Sequence, residues 1–262
     1  MIDPQVLLAS AAAVLSFLVA VWLVSLVMRD ASIVDIVWGP AFLVIAIASH
    51  WLGDGAPARS NLLLGLVALW SLRLAVYLAW RNLGSGEDFR YQKMRAYWGA
   101  RFWWVSLFTV FLLQGALAWI VSAPIQVAMA SPAPQRLGWL DYTGVALFVV
   151  GFLFESVGDL QLARFKADPR NAGKVLDHGL WAWTRHPNYF GDCVQWWAFF
   201  LIALATPRGY LAVVGPLVMT WLLMKFSGVP MLERSLRKKR PRYDDYRQRV
   251  PAFFPRPPRS GL

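Results

Sequence analysis

The strongest constraint on this chain is a succession of apolar stretches, each near the length that a bilayer demands. A membrane-spanning helix needs roughly 20 mostly apolar residues to cross about 30 Å of hydrocarbon. Seven stretches meet or approach that length: Val6–Val27, Ile33–Trp51, Leu62–Trp80, Phe102–Ala130, Leu140–Ala163, Tyr189–Thr206 and Tyr210–Phe226. The first carries no charge, the fourth contains Pro124, and the last is short and broken by Gly215-Pro216. Only 16% of the 262 residues are charged and 58% are hydrophobic, whereas soluble domains average about 25% charged. Fifteen Trp and sixteen Phe suit the aromatic belts of membrane interfaces. Disorder, collagen and coiled coil are excluded. The expected fold is all-α, one integral membrane domain of seven transmembrane helices. The first stretch lacks a basic start and a small-residue cleavage pattern, so it reads as a mature helix and not as a signal peptide.

Orientation follows from the basic residues, which concentrate in cytoplasmic loops. With the N-terminus outside, 22 of the 26 Lys and Arg residues fall inside. Arg59, Arg136 and Arg208 alone occupy outside loops, and Arg73 is intramembrane. An even number of spans destroys this asymmetry. The net charge of +11 is therefore read as topology and contact with membrane lipids, not as nucleic-acid binding.

Ionisable side chains within a bilayer cost about 2.5–3.5 kcal/mol each on insertion scales and mark functional sites by default. Asp35, Arg73, Glu155, Asp159 and Asp192 form this set. Structural pairing is the bland reading, but one arginine cannot neutralise four acids. Glu155 and Asp159 are four residues apart and share a helix face. Asn188, Asp192 and Gln195 form a polar stripe on the sixth span, and Trp70, Arg73, Tyr77 and Arg81 another on the third. These stripes predict a solvated intramembrane pocket open to the inside. Two inside loops are too rich for connectors: Arg81–Tyr91, and Arg164–His186 leading into Pro187. Pro187 suits the first turn of a helix, which leaves Arg185 and His186 at a positive helix N-terminus. Such a place binds phosphate or carboxylate, and the same charges equally suit lipid headgroups.

Several chemistries are excluded. No Gly-x-Gly-x-x-Gly unit or phosphate-binding P-loop is present, and no Gly-x-Ser-x-Gly elbow. His50, His178 and His186 are too scattered for a zinc site. Cys193 alone permits neither an intramolecular disulfide nor a cysteine cluster.

The stretch Gly179–Asp192, with the polar fifth span before it and Tyr243-Asp244-Asp245-Tyr246 and Val250-Pro251 after it, resembles the C-terminal half of membrane steroid 5α-reductases. It is also similar to sterol reductases and isoprenylcysteine carboxyl methyltransferases, which share a helix–His-Pro–helix module. Ser32–Gly39 and Trp70–Tyr91 look like bacterial members of the 5α-reductase group. The resemblance covers about 200 residues. It implies NADPH as cofactor, held in a bundle cavity facing the cytoplasm of a bacterial inner membrane, with residues 1–130 on the substrate side and 131–262 on the cofactor side.

Carried over residue by residue, the resemblance implies that Asn188 and Asp192 hold the nicotinamide end and that Asp159 and Glu155 hold ribose or nicotinamide. Arg164, Lys166 and Lys174 fall where family basic residues meet the phosphates, and Arg73 falls on the family's third-span arginine. Arg90 and Tyr91 resemble the basic loop end near the adenosine phosphate. Arg81, Arg185, His186, Tyr189 and Tyr246 complete the expected cofactor shell. The family polarises its steroid ketone with a second-span glutamate and a third-span tyrosine. Here the acid is Asp35, and Trp70 occupies the approximate tyrosine position. Asp35, Trp70 and Tyr77 are the expected catalytic residues, and no metal is expected.

The implied reaction is reduction of an enone C=C bond in a lipophilic steroid or isoprenoid substrate, with hydride delivered to the β carbon by a monomeric enzyme. Charge then grows on the carbonyl oxygen, where a protonated Asp35 would serve. Burial raises a carboxylic acid's pKa in that direction. Two rivals stand beside it: a methyltransferase using S-adenosylmethionine, whose cofactor lacks phosphates, and a non-enzymatic lipid-binding scaffold.

Overall fold

In hydrocarbon every backbone polar group must be satisfied within its own segment, and this chain does so with helices. The computed structural model describes residues 4–226, 229, 233, 236, 240 and 242–258, and among these there is no strand. The helices are α1 (Pro4–Met28), α2 (Ile33–Ile36), α3 (Trp38–Leu52), α4 (Pro57–Asn82), α5 (Phe89–Trp98), α6 (Phe102–Ser106), α7 (Leu113–Val121), α8 (Ala123–Met129), α9 (Trp139–Ala167), α10 (Pro187–Leu204), α11 (Val214–Trp221) and α12 (Tyr243–Arg249). Four helical runs are long and apolar enough to cross a membrane: Pro4–Met28, Pro57–Asn82, Phe89–Val121 and Trp139–Ala167. Trp38–Leu52 and Gly209–Lys225 are shorter apolar helices.

The boundaries differ from the expected ones where local chemistry intervenes. The fourth run starts at Phe89 and not at Phe102, because Asp88 caps it by accepting the backbone N–H of Arg90 at 2.9 Å. It ends at Ser122. The Pro124 ring cannot continue a helix but suits the first turn of the next, α8. A π-helical turn at Leu107–Leu112 interrupts it midway, a feature that collects at functional sites. The expected Tyr210–Phe226 span is three pieces, a 3-10 turn at Gly209–Val213, α11, and a π-helical turn at Leu222–Phe226. The expected helix-like run from Glu233 lies largely outside the described residues, apart from α12.

The chain divides into two compact units. One comprises Met1–Asp141 with Ile202–Gly215, the other Tyr142–Leu201 with Pro216–Leu262. In the first unit α3 packs against both α1 and α4, around fully buried Phe42, Ile45, Leu63, Val67 and Trp70. Gly39 permits the approach to α4, since a Cβ there meets the Ser71 carbonyl at 2.9 Å. At the far end of α4, Arg59 is fully buried and binds both carboxylate oxygens of Asp141, at 2.8 and 3.0 Å. It also donates to the Pro134 carbonyl at 2.9 Å. Breaking such a buried pair on one side costs about 3–5 kcal/mol. The sequence places Arg59 in an outside loop and does not single out Asp141; in the structure Arg59 lies buried in the first turn of α4.

In the second unit α9 and α10 cross at glycines. A Cβ on Gly191 would stand 2.4 Å from the Glu155 nitrogen and 2.5 Å from the Gly151 carbonyl oxygen. Small residues at a crossing let helix backbones touch, the usual basis of helix association in lipid. Phe148 and Phe199 close the crossing with ring centroids 5.6 Å apart.

Candidate functional site

The glycine crossing sets α9 and α10 close enough for short polar side chains to bridge them. Gln195 donates to Glu155 at 2.7 Å, and Asn188 donates to Asp159 at 3.0 Å. Both carboxyl groups are buried, each residue 4% exposed. Two carboxyl–carboxamide rungs thus stack along one helix pair, with Asn188 and Gln195 of the α10 stripe facing the two acids of α9. Asp192 accepts from the indole of Trp196 at 3.1 Å. The Trp181 indole donates to the Gly158 carbonyl at 3.1 Å, holding the loop before α10 against α9. Arg164, Lys166 and Lys174 are exposed at the end of α9 and in the loop beyond it.

The loop Trp181–His186 is clamped by the chain's tail. Arg185 binds Glu233 at 2.8 Å and donates to the carbonyls of Val250 and Arg247. The Thr184 hydroxyl donates to the Phe253 carbonyl, and the Tyr246 hydroxyl to the Trp181 carbonyl at 2.6 Å. His186 is 1% exposed, stacks on Tyr189 at 5.6 Å, and sets Nε2 3.4 Å from Glu233. Burial holds the His186 imidazole below its ordinary pKa, against the pull of Glu233. Burial also opposes ionisation of Glu233, but hydrogen bonds from His186 and Arg185 and the Arg185 charge bring it down to about 2. Burial raises the Tyr243 hydroxyl to about 12 and Tyr246 further. Arg185 is thus committed to the tail, and Glu233 and Thr184 emerge as partners that the sequence alone did not single out.

The first unit carries a second cluster. Asp35 accepts from the Tyr91 hydroxyl at 2.7 Å and from Arg90 at 2.5 Å. Arg90 also binds Asp88 at 2.9 Å, and the Asp88 backbone N–H donates to the Ser32 hydroxyl. Gln114, just after the π-helical turn, faces the Tyr91 hydroxyl. Spacing gives no sign of this meeting, since 56 residues separate Asp35 from Tyr91. Trp70 is fully buried edge-on to Phe42, with centroids 5.5 Å apart. Arg81 is exposed and lies over the Tyr77 ring at 5.5 Å, while Arg73 is half-buried on the same helix. No group of three or more His, Cys, Asp or Glu suited to a metal occurs among the described residues.

An uncharacterized protein of Schizosaccharomyces pombe, C594.04c, is 26% identical over 92% of this chain and 78% of its own length. No solved structure matches the chain. The family described as "Protein of unknown function (DUF1295)" matches residues 21–250, and with nearly all of its helical core inside that match the chain belongs to this family.

Proposed function

We propose that the protein is an NADPH-dependent membrane reductase that saturates the C=C bond of an enone in a lipophilic substrate, a 3-oxo-Δ4-steroid being the first candidate. The observation that carries this reading is the buried pair of rungs, Glu155–Gln195 and Asp159–Asn188. Acids and amides are retained within apolar helices at a cost that calls for a polar ligand. The family is related to steroid 5α-reductase-like membrane proteins, the same direction as the resemblance of Gly179–Asp192. Seven crossings, with the N-terminus outside and the cofactor side cytoplasmic, belong to the same proposal.

The donor set fits NADPH. Carboxamide and carboxylate side chains complement a nicotinamide carboxamide and ribose hydroxyls. Gln195 Oε1 and His186 Nδ1 are buried without a hydrogen-bond partner among the described residues, acceptors that a ligand would satisfy. Arg164, Lys166 and Lys174 suit phosphates, which S-adenosylmethionine lacks. In this reading Arg185 is a positioning residue that holds His186 and Asn188 through the tail.

When bound, NADPH supplies a hydride for the carbon β to the carbonyl. The chain's residues manage the charge that then grows on the carbonyl oxygen. A fixed donor at that oxygen is usually the largest catalytic term. Asp35 accepts from both Arg90 and Tyr91, the pattern of an ionised carboxylate. We therefore give the donor role to the Tyr91 hydroxyl, whose single hydrogen leaves Asp35 for the carbonyl oxygen when substrate binds, with Arg90 remaining as the partner of Asp35. Tyr91, and not Trp70, stands in the tyrosine's part. Trp70 is assigned to packing. A proton reaches the α carbon from water or a side chain.

The test is isotopic. Purified protein is incubated with NADPH doubly deuterated at nicotinamide C4 and a 3-oxo-Δ4-steroid. A product one deuterium heavier, labelled at the β carbon, is expected. Methyl transfer from S-adenosylmethionine, with no deuterium incorporated from NADPH, would replace this reading with the methyltransferase one.

A further inference from the structure

The chain also has a basic cavity at the C-terminal end of α1, unrelated to the polar rungs. Its volume is about 280 Å³, and its lining includes Ser25, Arg29, Arg95, Phe102, Trp103 and Ser106. All of these lie in the first unit. We infer that this cavity binds the phosphodiester headgroup of an acidic membrane phospholipid, with the Arg29 guanidinium as the principal anion contact.

Depth is the first argument. The 25 residues of α1 span about 37 Å at 1.5 Å per residue, more than the hydrocarbon thickness. Arg29 follows directly, so it sits at headgroup level. Aromatic side chains gather at the same level. The Trp22 indole donates to the Trp103 carbonyl at 2.9 Å and its ring stacks on Trp103. Tyr97, Trp98, Trp103 and Trp104 are all exposed, as interface-anchoring aromatics are.

Charge is the second argument. Arg95 is largely spoken for: its Nε and Nη2 bind Glu87 at 2.9 and 2.8 Å, and its guanidinium lies 4.6 Å from the Phe102 ring centroid. Asp30 turns to the Ser32 backbone N–H at 2.8 Å. Among the described residues the exposed Arg29 guanidinium makes no hydrogen bond or ion pair. The wall therefore offers one guanidinium without a direct carboxylate partner, with an apolar floor of Phe102 and Trp103 that suits the start of an acyl chain.

Backbone geometry is the third. Arg29 has φ +54°, one of two non-glycine residues with positive φ among those described. This place just past a helix end belongs by preference to glycine, and a side chain in that conformation carries strain. Retaining arginine there works against local backbone preference, as expected if the guanidinium serves a ligand.

That backbone also supplies a clean test. Arg29→Gly removes the charge while relieving the strained φ, so the fold is kept or strengthened. Full-length protein in neutral detergent is examined by native mass spectrometry with phosphatidylglycerol or phosphatidylcholine added. Wild type is expected to retain one phosphatidylglycerol in preference to phosphatidylcholine. R29G should weaken that retention by roughly fivefold, the effect of one basic residue at a charged surface, with an unchanged or higher Tm. Equal retention of the two lipids, or wild-type retention by R29G, would overturn the assignment. Displacement of phosphatidylglycerol by NADPH or inorganic phosphate would also overturn it, by making the cavity a site for soluble phosphates. The lipid outcomes leave the reductase reading untouched, because no residue of the polar rungs lines the cavity.

Discussion

At the residue scale, Tyr91 is the position on which the chemistry turns. Its hydroxyl touches Asp35, and Asp35 is held in turn by Arg90. Tyr91→Phe keeps the ring and its packing but deletes the only O–H of the pair. Loss of one oxyanion donor typically lowers kcat by about 10²–10³-fold, so Y91F should lose about that much enone reduction with its NADPH affinity intact. Steady-state kinetics paired with equilibrium cofactor binding checks this. A variant as fast as wild type would take Tyr91 out of the mechanism. The intramembrane acids were legible in sequence because charge in an apolar run is conspicuous. Their partners were legible only where both lay on spans of recognisable phase, as Asp159 and Asn188 do. The Asp35–Tyr91 pair was hidden, because helix periodicity carries no information about contacts between distant segments.

At the element scale, the α9–α10 crossing positions the candidate cofactor site. Gly191 rests against the α9 backbone with no room for a methyl group. Gly191→Ala must push the helices apart. Overpacking of this kind costs about 1–3 kcal/mol, and the displacement opens both rungs. A lower Tm together with weakened NADPH binding is the expected result, read by thermal unfolding with and without NADPH. A variant that loses Tm yet binds normally would mean that the rungs are structural. The tail clamp adds a pH dependence. His186 and Glu233 both have folded-state pKa values below their ordinary ones, so each contributes stability that is present at higher pH and lost on acidification. The loss begins as pH falls through the ordinary histidine range near 6.5 and continues towards about 2 as Glu233 takes up its proton. Hydrogen exchange should therefore show residues 243–256 loosening between neutral pH and pH 4, ahead of α9 and α10. Uniform protection over that range would contradict the clamp. Helix existence was plain in the sequence, but the early start at Phe89 was not. It depends on Asp88 as a cap and on a stretch, Phe89–Trp98, too polar to read as a span.

At the scale of the whole molecule, apolar length gave the all-helical membrane character, and four runs long enough to cross are present. The remaining apolar segments are short or broken, as Gly215-Pro216 and Val37 show, so length alone does not count crossings. The basic residues supply the missing constraint. Reporter fusions should place Arg136 outside and the C-terminus inside; a cytoplasmic Arg136 loop would contradict the seven-span arrangement.

The most direct measurement is equilibrium binding of NADPH and of S-adenosylmethionine to the detergent-purified full chain, with Asp159→Ala alongside wild type. Saturable NADPH binding by wild type, weakened at least tenfold in D159A as a lost charged hydrogen bond requires, with no binding of S-adenosylmethionine, is the predicted result. Binding of S-adenosylmethionine without NADPH, or NADPH binding indifferent to Asp159, would contradict the assignment of the α9–α10 rungs to a reducing cofactor.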